Sequence, residues 1–210
     1  WDFGDGRFDT ASNPKLSFMT PGIFNVTLAI ESTKGCKDTS TSKVNIYEEP
    51  TVKFSVIKSD TCFEKNLIKF TNNSSTNNQS TFTYKWIFGD NNESIGDNPI
   101  HKYSSFDTFE IQLKGTTSFG CVDSFFQEVI IYPNPSADFS VNGLQQCDNG
   151  NTFEISNNSS SPHGQLFNNW IFGDSSILNV NNPTFSFDTV GTYKIKLNVL
   201  NEYGCADTLQ

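Results

Sequence analysis

The chain is poor in positive charge, in histidine and in long apolar runs, and each shortage removes a class of function. Lys and Arg number 14 against 23 Asp and Glu, giving a net charge of −9. No basic run occurs, and since neutralising a phosphate backbone needs clustered Lys and Arg, no nucleic-acid partner is expected. No stretch approaches the roughly 18 apolar residues that span a bilayer, so the chain is not membrane-spanning. There are only two histidines, His101 and His163, in unrelated local contexts. No Gly-x-Ser-x-Gly elbow, His-Glu-x-x-His pair or phosphate-cradling loop appears. The sequence therefore reads as non-enzymatic, with no catalytic residue and no cofactor. Cys-x-x-Cys is absent too, which argues against a thiolate metal site.

What is present is aromatic and strand-forming. Phe occurs 20 times, and Asn, Ser and Thr fill the spaces between apolar positions, as in short strands joined by polar turns. Phe24 to Leu28, Phe109 to Leu113 and Tyr193 to Leu197 alternate apolar with polar residues. Period-two alternation buries one face of a strand and wets the other. No helical stripe competes with it. The expected class is all-β, with short strands packed as sandwiches.

Trp-x-Phe-Gly-Asp is spelled three times: Trp1-Asp2-Phe3-Gly4-Asp5, Trp86-Ile87-Phe88-Gly89-Asp90 and Trp170-Ile171-Phe172-Gly173-Asp174. The intervals are 85 and 84 residues. Asn13-Pro14 recurs as Asn98-Pro99 and Asn182-Pro183, and Gly35-Cys36 as Gly120-Cys121 and Gly204-Cys205. Asp38, Asp123 and Asp207 each follow two residues later. A fixed period over several separate features marks an array of one small domain.

Glu48-Glu49-Pro50 and Pro133-Asn134-Pro135 lie between strand-like runs. Proline fixes φ and lacks a donor, so these short linkers are expected to be stiff and to hold neighbours in an extended array. The expected domains are a partial one over 1–49 lacking its N-terminal strands, a complete one over 50–133, and one over 134–210 lacking its last strand. On this reading the chain is a segment of a longer array. Residues 1–47 alone would leave an apolar face uncovered.

The repeat register sorts the five cysteines. Cys62 and Cys121 fall in the second unit, and Cys147 and Cys205 in the third. The expected bonds are Cys62–Cys121 and Cys147–Cys205. Cys36, equivalent to Cys121, is left to pair outside the chain. Each such bond would close a loop of about 60 residues, worth on the order of 4 kcal/mol. Structural disulfides imply an oxidising, extracellular setting.

Trp-x-Phe-Gly-Asp, then Asn-Pro, an aromatic and an alternating strand ending near Gly-Cys, resembles the PKD domain, an immunoglobulin-like β-sandwich. The first copy carries the fullest form, ending in Gly6. The others have Asn91 and Ser175 there, and Asn tolerates positive φ. The Cys-bearing, Asn-rich version is similar to PKD repeats of giant type IX-secreted gliding and surface adhesins of Bacteroidota, of SprB type. The resemblance implies a non-catalytic stalk or filament of a cell-surface adhesin, for gliding motility or surface attachment. Its partners would be further PKD-like repeats of the same polypeptide, and surface polysaccharide or other surface proteins. PKD-like units also serve as accessory substrate-binding or spacer modules of secreted proteases and polysaccharide hydrolases, which is the alternative.

Residue by residue, Trp and Phe two apart on a strand share a face, so Trp1 with Phe3, Trp86 with Phe88 and Trp170 with Phe172 are expected in the core. Asp5, Asp90 and Asp174 are expected to cap turns. Asp90 and Asp97 offer oxygens that could instead attract a hard cation, a weaker reading because the third unit replaces most of them. Asp9-Thr10-Ala11, Asp188-Thr189-Val190 and Asp207-Thr208-Leu209 resemble the O-glycosylation sequon of Bacteroidota, which would place glycans on Thr10, Thr189 and Thr208. Phe125 and Phe126 are adjacent on a strand, so one of them should face solvent.

Overall fold

The computed structural model describes residues 1–58, 61–76, 80–173 and 176–210. Phe24 to Leu28 and Phe109 to Leu113 lie within strands, Tyr193 to Leu197 enters one at Ile195, and one 3-10 turn at Phe63–Lys65 is the only helical element among the described residues. In the first repeat, β1 (Gly22–Glu31) and β2 (Lys37–Ile46) pair antiparallel from Gly22↔Ile46 to Glu31↔Lys37. The motif segment lies along them: Asp2 and Thr27 exchange both backbone hydrogen bonds at 2.8 Å.

The second repeat supplies β3 (Phe54–Lys58), β4 (Ile68–Asn72), β5 (Phe82–Ile87), β6 (Glu93–Ser94), β7 (Ile100–His101), β8 (Thr108–Thr117) and β9 (Val122–Ile130). They form two sheets, ordered β3-β4-β7 and β6-β5-β8-β9. The third repeat uses the same plan. Its strands are β10 (Phe139–Val141), β11 (Phe153–Asn157), β12 (Leu166–Phe172), β13 (Ser176–Leu178), β14 (Thr184–Phe185), β15 (Ile195–Asn201) and β16 (Ala206–Leu209). Its sheets run β10-β11-β14 and β13-β12-β15-β16. The third repeat thus does carry a last strand. Four residues after Gly204-Cys205 suffice to pair β16 with β15, from Leu197↔Leu209 to Leu200↔Ala206.

Contacts divide the chain into two compact units. One comprises Trp1–Ser55, Phe70–Pro99 and Ile111–Gln127; the other comprises Val56–Lys69, Ile100–Glu110 and Glu128–Gln210. In the first unit, Phe54 meets the Trp86 ring edge-on at 5.1 Å, and Phe70 lies 5.4 Å from the same ring. These aromatics join the β3-β4 sheet to the sheet of β5. In the second unit, Ala137, Ile155, Trp170, Phe172, Leu197 and Val199 form a buried cluster. Trp86 pairs with Leu113 and Trp170 with Leu197 in the same register, so one sandwich design is built twice. Each fully buried aliphatic or Phe side chain contributes about 1.5–3 kcal/mol, which is how domains this small close a core.

Candidate functional site

The Trp and Phe of each Trp-x-Phe-Gly-Asp copy pack inward. Trp86 and Trp170 are wholly buried and Trp1 is half-buried. Phe3, Phe88 and Phe172 are buried beside them. Each indole N–H donates to the carbonyl ten residues on: Trp1 to Ala11 at 3.1 Å, Trp86 to Gly96 at 2.8 Å and Trp170 to Val180 at 2.9 Å. Gly4, Gly89 and Gly173 have φ of 75°, 84° and 58°. At Gly4 any Cβ would sit 2.8 Å from the Asn25 carbonyl oxygen, so the chain can turn out of the strand there only with glycine.

The aspartates hold the turn that follows. Asp90 accepts from the Asn92 backbone N–H at 3.1 Å and from its side-chain amide at 2.9 Å. Asn91 takes a φ of 69° where Gly6 has 85°, so asparagine replaces glycine without changing the turn. Asp5 accepts from the Arg7 backbone N–H at 3.0 Å and from Nε at 2.8 Å. Asp174 lies outside the described residues.

The hydrogen bonds from Arg7 hold the Asp5 carboxyl below its ordinary value of 3.8. A depressed folded-state pKa contributes stability that is present above the ordinary value and is lost as pH falls through the lowered one. Arg7→Gln is expected to return Asp5 upward toward its ordinary range. A carboxyl NMR titration checks this, and an unchanged Asp5 midpoint would refute it.

A second constellation surrounds each linker, and it too repeats. In the first unit, Asp123 accepts from the Val52 N–H at 2.8 Å, and Tyr47 stacks on Phe119 with ring centroids 3.8 Å apart. In the second unit, Asp207 accepts from the Ala137 N–H at 2.8 Å, and Tyr132 stacks on Tyr203 at 4.3 Å. The aspartate of Gly-Cys-x-Asp thus ties the segment just past the linker proline to the last hairpin of its own repeat. The aromatic before Gly-Cys packs against the strand end of the repeat before. Asn201, buried, adds to this in the second unit. Its amide donates to Pro133 O at 3.0 Å, while its Oδ1 accepts from Tyr203 and Cys205 N–H. Asn134 accepts from Glu64 N–H at 3.0 Å and donates to Ala206 O at 3.2 Å. The linker is gripped from both flanking repeats.

The disulfide connectivity corrects the sequence expectation. Cys62 is bonded to Cys205, 143 residues away, with Cα atoms 5.4 Å apart. The expected Cys62–Cys121 and Cys147–Cys205 bonds do not form; Cys36, Cys121 and Cys147 are free thiols. The reason lies in strand geometry. Cys121 sits in the turn before β9, whereas Cys62 bridges Tyr132, just past the other end of that strand. The nine residues of β9 span roughly 30 Å, and a disulfide needs Cα atoms closer than about 7 Å. Cys62 and Cys121 stand at opposite ends of that strand.

Sequence reasoning missed a further recurring group. Asn66, buried, exchanges hydrogen bonds with the Tyr103 backbone: Nδ2 to O at 3.1 Å, and N–H to Oδ1 at 2.7 Å. Asn151 does the same with Phe187, both at 2.8 Å. Their equal placement four residues after Cys62 and Cys147 was the available signal. The recurring Asn-Pro pairs also have a role. Asn98 accepts from Asn72 N–H and Asn182 from Asn157 N–H, both at 2.9 Å.

Asp97 is exposed, and among the described residues no group of three or more His, Cys, Asp or Glu could hold a metal ion. Thr10, Thr189 and Thr208 are exposed; Thr208 donates to Asn198 Oδ1 at 2.9 Å. Phe125 packs edge-on against Phe54 at 5.3 Å, while Phe126 is 51% exposed. Among the described residues, no helix is long and apolar enough to cross a membrane.

Comparison with known proteins gives a family match along nearly the whole chain. The model described as PKD domain matches residues 1–46, 48–131 and 133–210. Among solved structures, the chain is similar to the PKD1 domain of Vibrio anguillarum Epp. The identity is 16% over 40% of this chain and 95% of that one, with a TM-score of 0.36. It is also similar to the PKD1 domain of the Vibrio cholerae metalloprotease PrtV, at 20% identity over 40% and 98%, with a TM-score of 0.36. A structure of a 1.5-MDa bacterial ice-binding adhesin aligns at 11% identity over 90% of this chain and 72% of that one, with a TM-score of 0.38.

Proposed function

The chain belongs to the PKD domain family, and we propose that it works mechanically, as a non-catalytic stalk segment of a large extracellular adhesin used for surface attachment or gliding. The observation that supports this most is the treatment of the linker between the second and third repeats. It is held by Asn134, Asn201 and Asp207, flanked by the Tyr132–Tyr203 stack, and bypassed by the Cys62–Cys205 bond. A module that only tethers an enzyme has no need of a covalent bypass around its linker; one that transmits tension does. The disulfide agrees with an oxidising, extracellular location. Thr10, Thr189 and Thr208 are our proposed O-glycan acceptors on such a surface.

The second reading is an accessory substrate-binding or spacer module of a secreted hydrolase. Phe126, exposed on β9, favours it. One experiment separates the two. An antibody to residues 50–133 should detect a surface-bound polypeptide of several hundred kilodaltons in native material. A secreted polypeptide of ordinary enzyme size carrying a catalytic domain would overturn the adhesin reading.

A further inference from the structure

The one disulfide and the repeat register together imply a pattern larger than one bond. Cys62 and Cys147 are equivalent positions, as are Cys36, Cys121 and Cys205. The bond runs from the early cysteine of the second repeat to the Gly-Cys cysteine of the third. We propose that every cysteine in this chain is half of a staggered series of cystines, each joining the early cysteine of one repeat to the Gly-Cys cysteine of the next.

Cys121 occupies the same place as Cys205 in detail. Thr117 N–H donates to Cys121 O at 2.9 Å, as Asn201 N–H donates to Cys205 O at 2.9 Å. The Cys121 N–H donates to the Thr117 hydroxyl at 3.2 Å, as the Cys205 N–H donates to the Asn201 side-chain Oδ1 at 2.9 Å. The surroundings match as well. The Tyr47–Phe119 stack and the Asp123–Val52 bond in the first unit reproduce the Tyr132–Tyr203 stack and the Asp207–Ala137 bond beside the formed cystine. The junction between the first and second repeats is thus built to receive a cystine at Cys121. The register puts the early-cysteine position of the first repeat ahead of Trp1, so its partner is not among residues 1–210. Cys121 and Cys36 are assigned to the early cysteine of the repeat before each, and Cys147 to the Gly-Cys cysteine of a following repeat.

Each bond forms by thiol–disulfide exchange with a small-molecule or protein disulfide. Two protein thiols lose two protons and two electrons, one S–S bond forms, and the oxidant's S–S bond is cleaved to two thiols. The product is a chain in which each linker is bridged covalently. This inference rests on the disulfide and the register and does not depend on the adhesive reading.

The test duplicates the middle repeat inside the full chain, as residues 1–134 followed by residues 50–210. In the first copy, Cys121→Ser removes the competing thiol and Thr61→Ser lightens the Cys62 peptide as a mass tag. The protein is oxidised in glutathione disulfide, free thiols are alkylated, and trypsin with Glu-C digestion precedes non-reducing mass spectrometry. The expected products are the tagged Cys62 peptide linked to Cys121 of the second copy, and the untagged one linked to Cys205. An untagged Cys62 linked to Cys121, or Cys121 recovered alkylated, overturns the proposal. The unaltered chain gives a second readout. It should show a Cys62–Cys205 link with Cys36, Cys121 and Cys147 alkylated, and a Cys147–Cys205 or Cys62–Cys121 link would overturn the series.

Discussion

Trp86→Ala is expected to lower the unfolding free energy of the middle repeat by about 3–5 kcal/mol, the range for removing a buried aromatic from a core that cannot fully collapse. Trp86 is wholly buried, touches Phe54 and Phe70 from the facing sheet, and spends its indole N–H on the Gly96 carbonyl. Removing it leaves a hole between the sheets and frees the turn that follows the motif. Since a small domain holds only about 5–15 kcal/mol in all, the repeat should sit near its threshold. Trp86→Phe refills most of the hole and loses mainly the hydrogen bond, so its cost should fall to about 1–2 kcal/mol. Trp1, half-buried, makes the internal contrast, and Trp1→Ala should cost about 1 kcal/mol by its smaller burial. Urea denaturation and amide exchange along β5 and β8 report all three. A Trp86→Ala loss below that of Trp1→Ala would mean the motif is not the keystone of the core.

How much of this was legible depends on the range of the interaction. Trp86 and Phe88, two apart on a strand, had to share a face, and Gly89 and Asp90 had to turn the chain, because both rules act within a few residues. The all-β class followed from the same period-two pattern. The repeat made equivalent positions of the second and third repeats readable, but the last strand of the third, β16, was not expected. The disulfide was not legible, because register says which cysteines are equivalent but not which repeat supplies the partner. Cys62 and Cys121 looked like a pair within one repeat, yet β9 separates them by its full length. Asn66 and Asn151 were hidden for another reason. In an Asn-rich chain their recurrence does not stand out, and only the backbone shows that they stand in for a missing strand pair with Tyr103 and Phe187. Tyr47 and Phe119, like Tyr132 and Tyr203, recur in register, but what they meet depends on how one repeat follows another.

Cys62→Ser is expected to cost about 5 kcal/mol, the chain entropy of opening a loop of 143 residues. That exceeds any other single contact at the linker. The Asp207–Ala137 and Asn201–Pro133 hydrogen bonds are each worth about 0.5–1.5 kcal/mol net, and the Tyr132–Tyr203 stack adds a similar amount. These contacts orient the linker, but under tension each breaks within a small displacement, whereas the cystine does not break without chemistry. The most direct reading is therefore mechanical. When the chain is pulled from its ends with the bond intact, the residues between Cys62 and Cys205 cannot extend. After reduction, or in Cys62→Ser, they add roughly 500 Å of contour at about 3.3–3.6 Å per residue. Single-molecule extension should show that added length in the reduced protein and in the variant, and not in the oxidised protein. Equal contour lengths in all three would show that the bond does not shield the linker, and would remove the strongest support for a tension-carrying role.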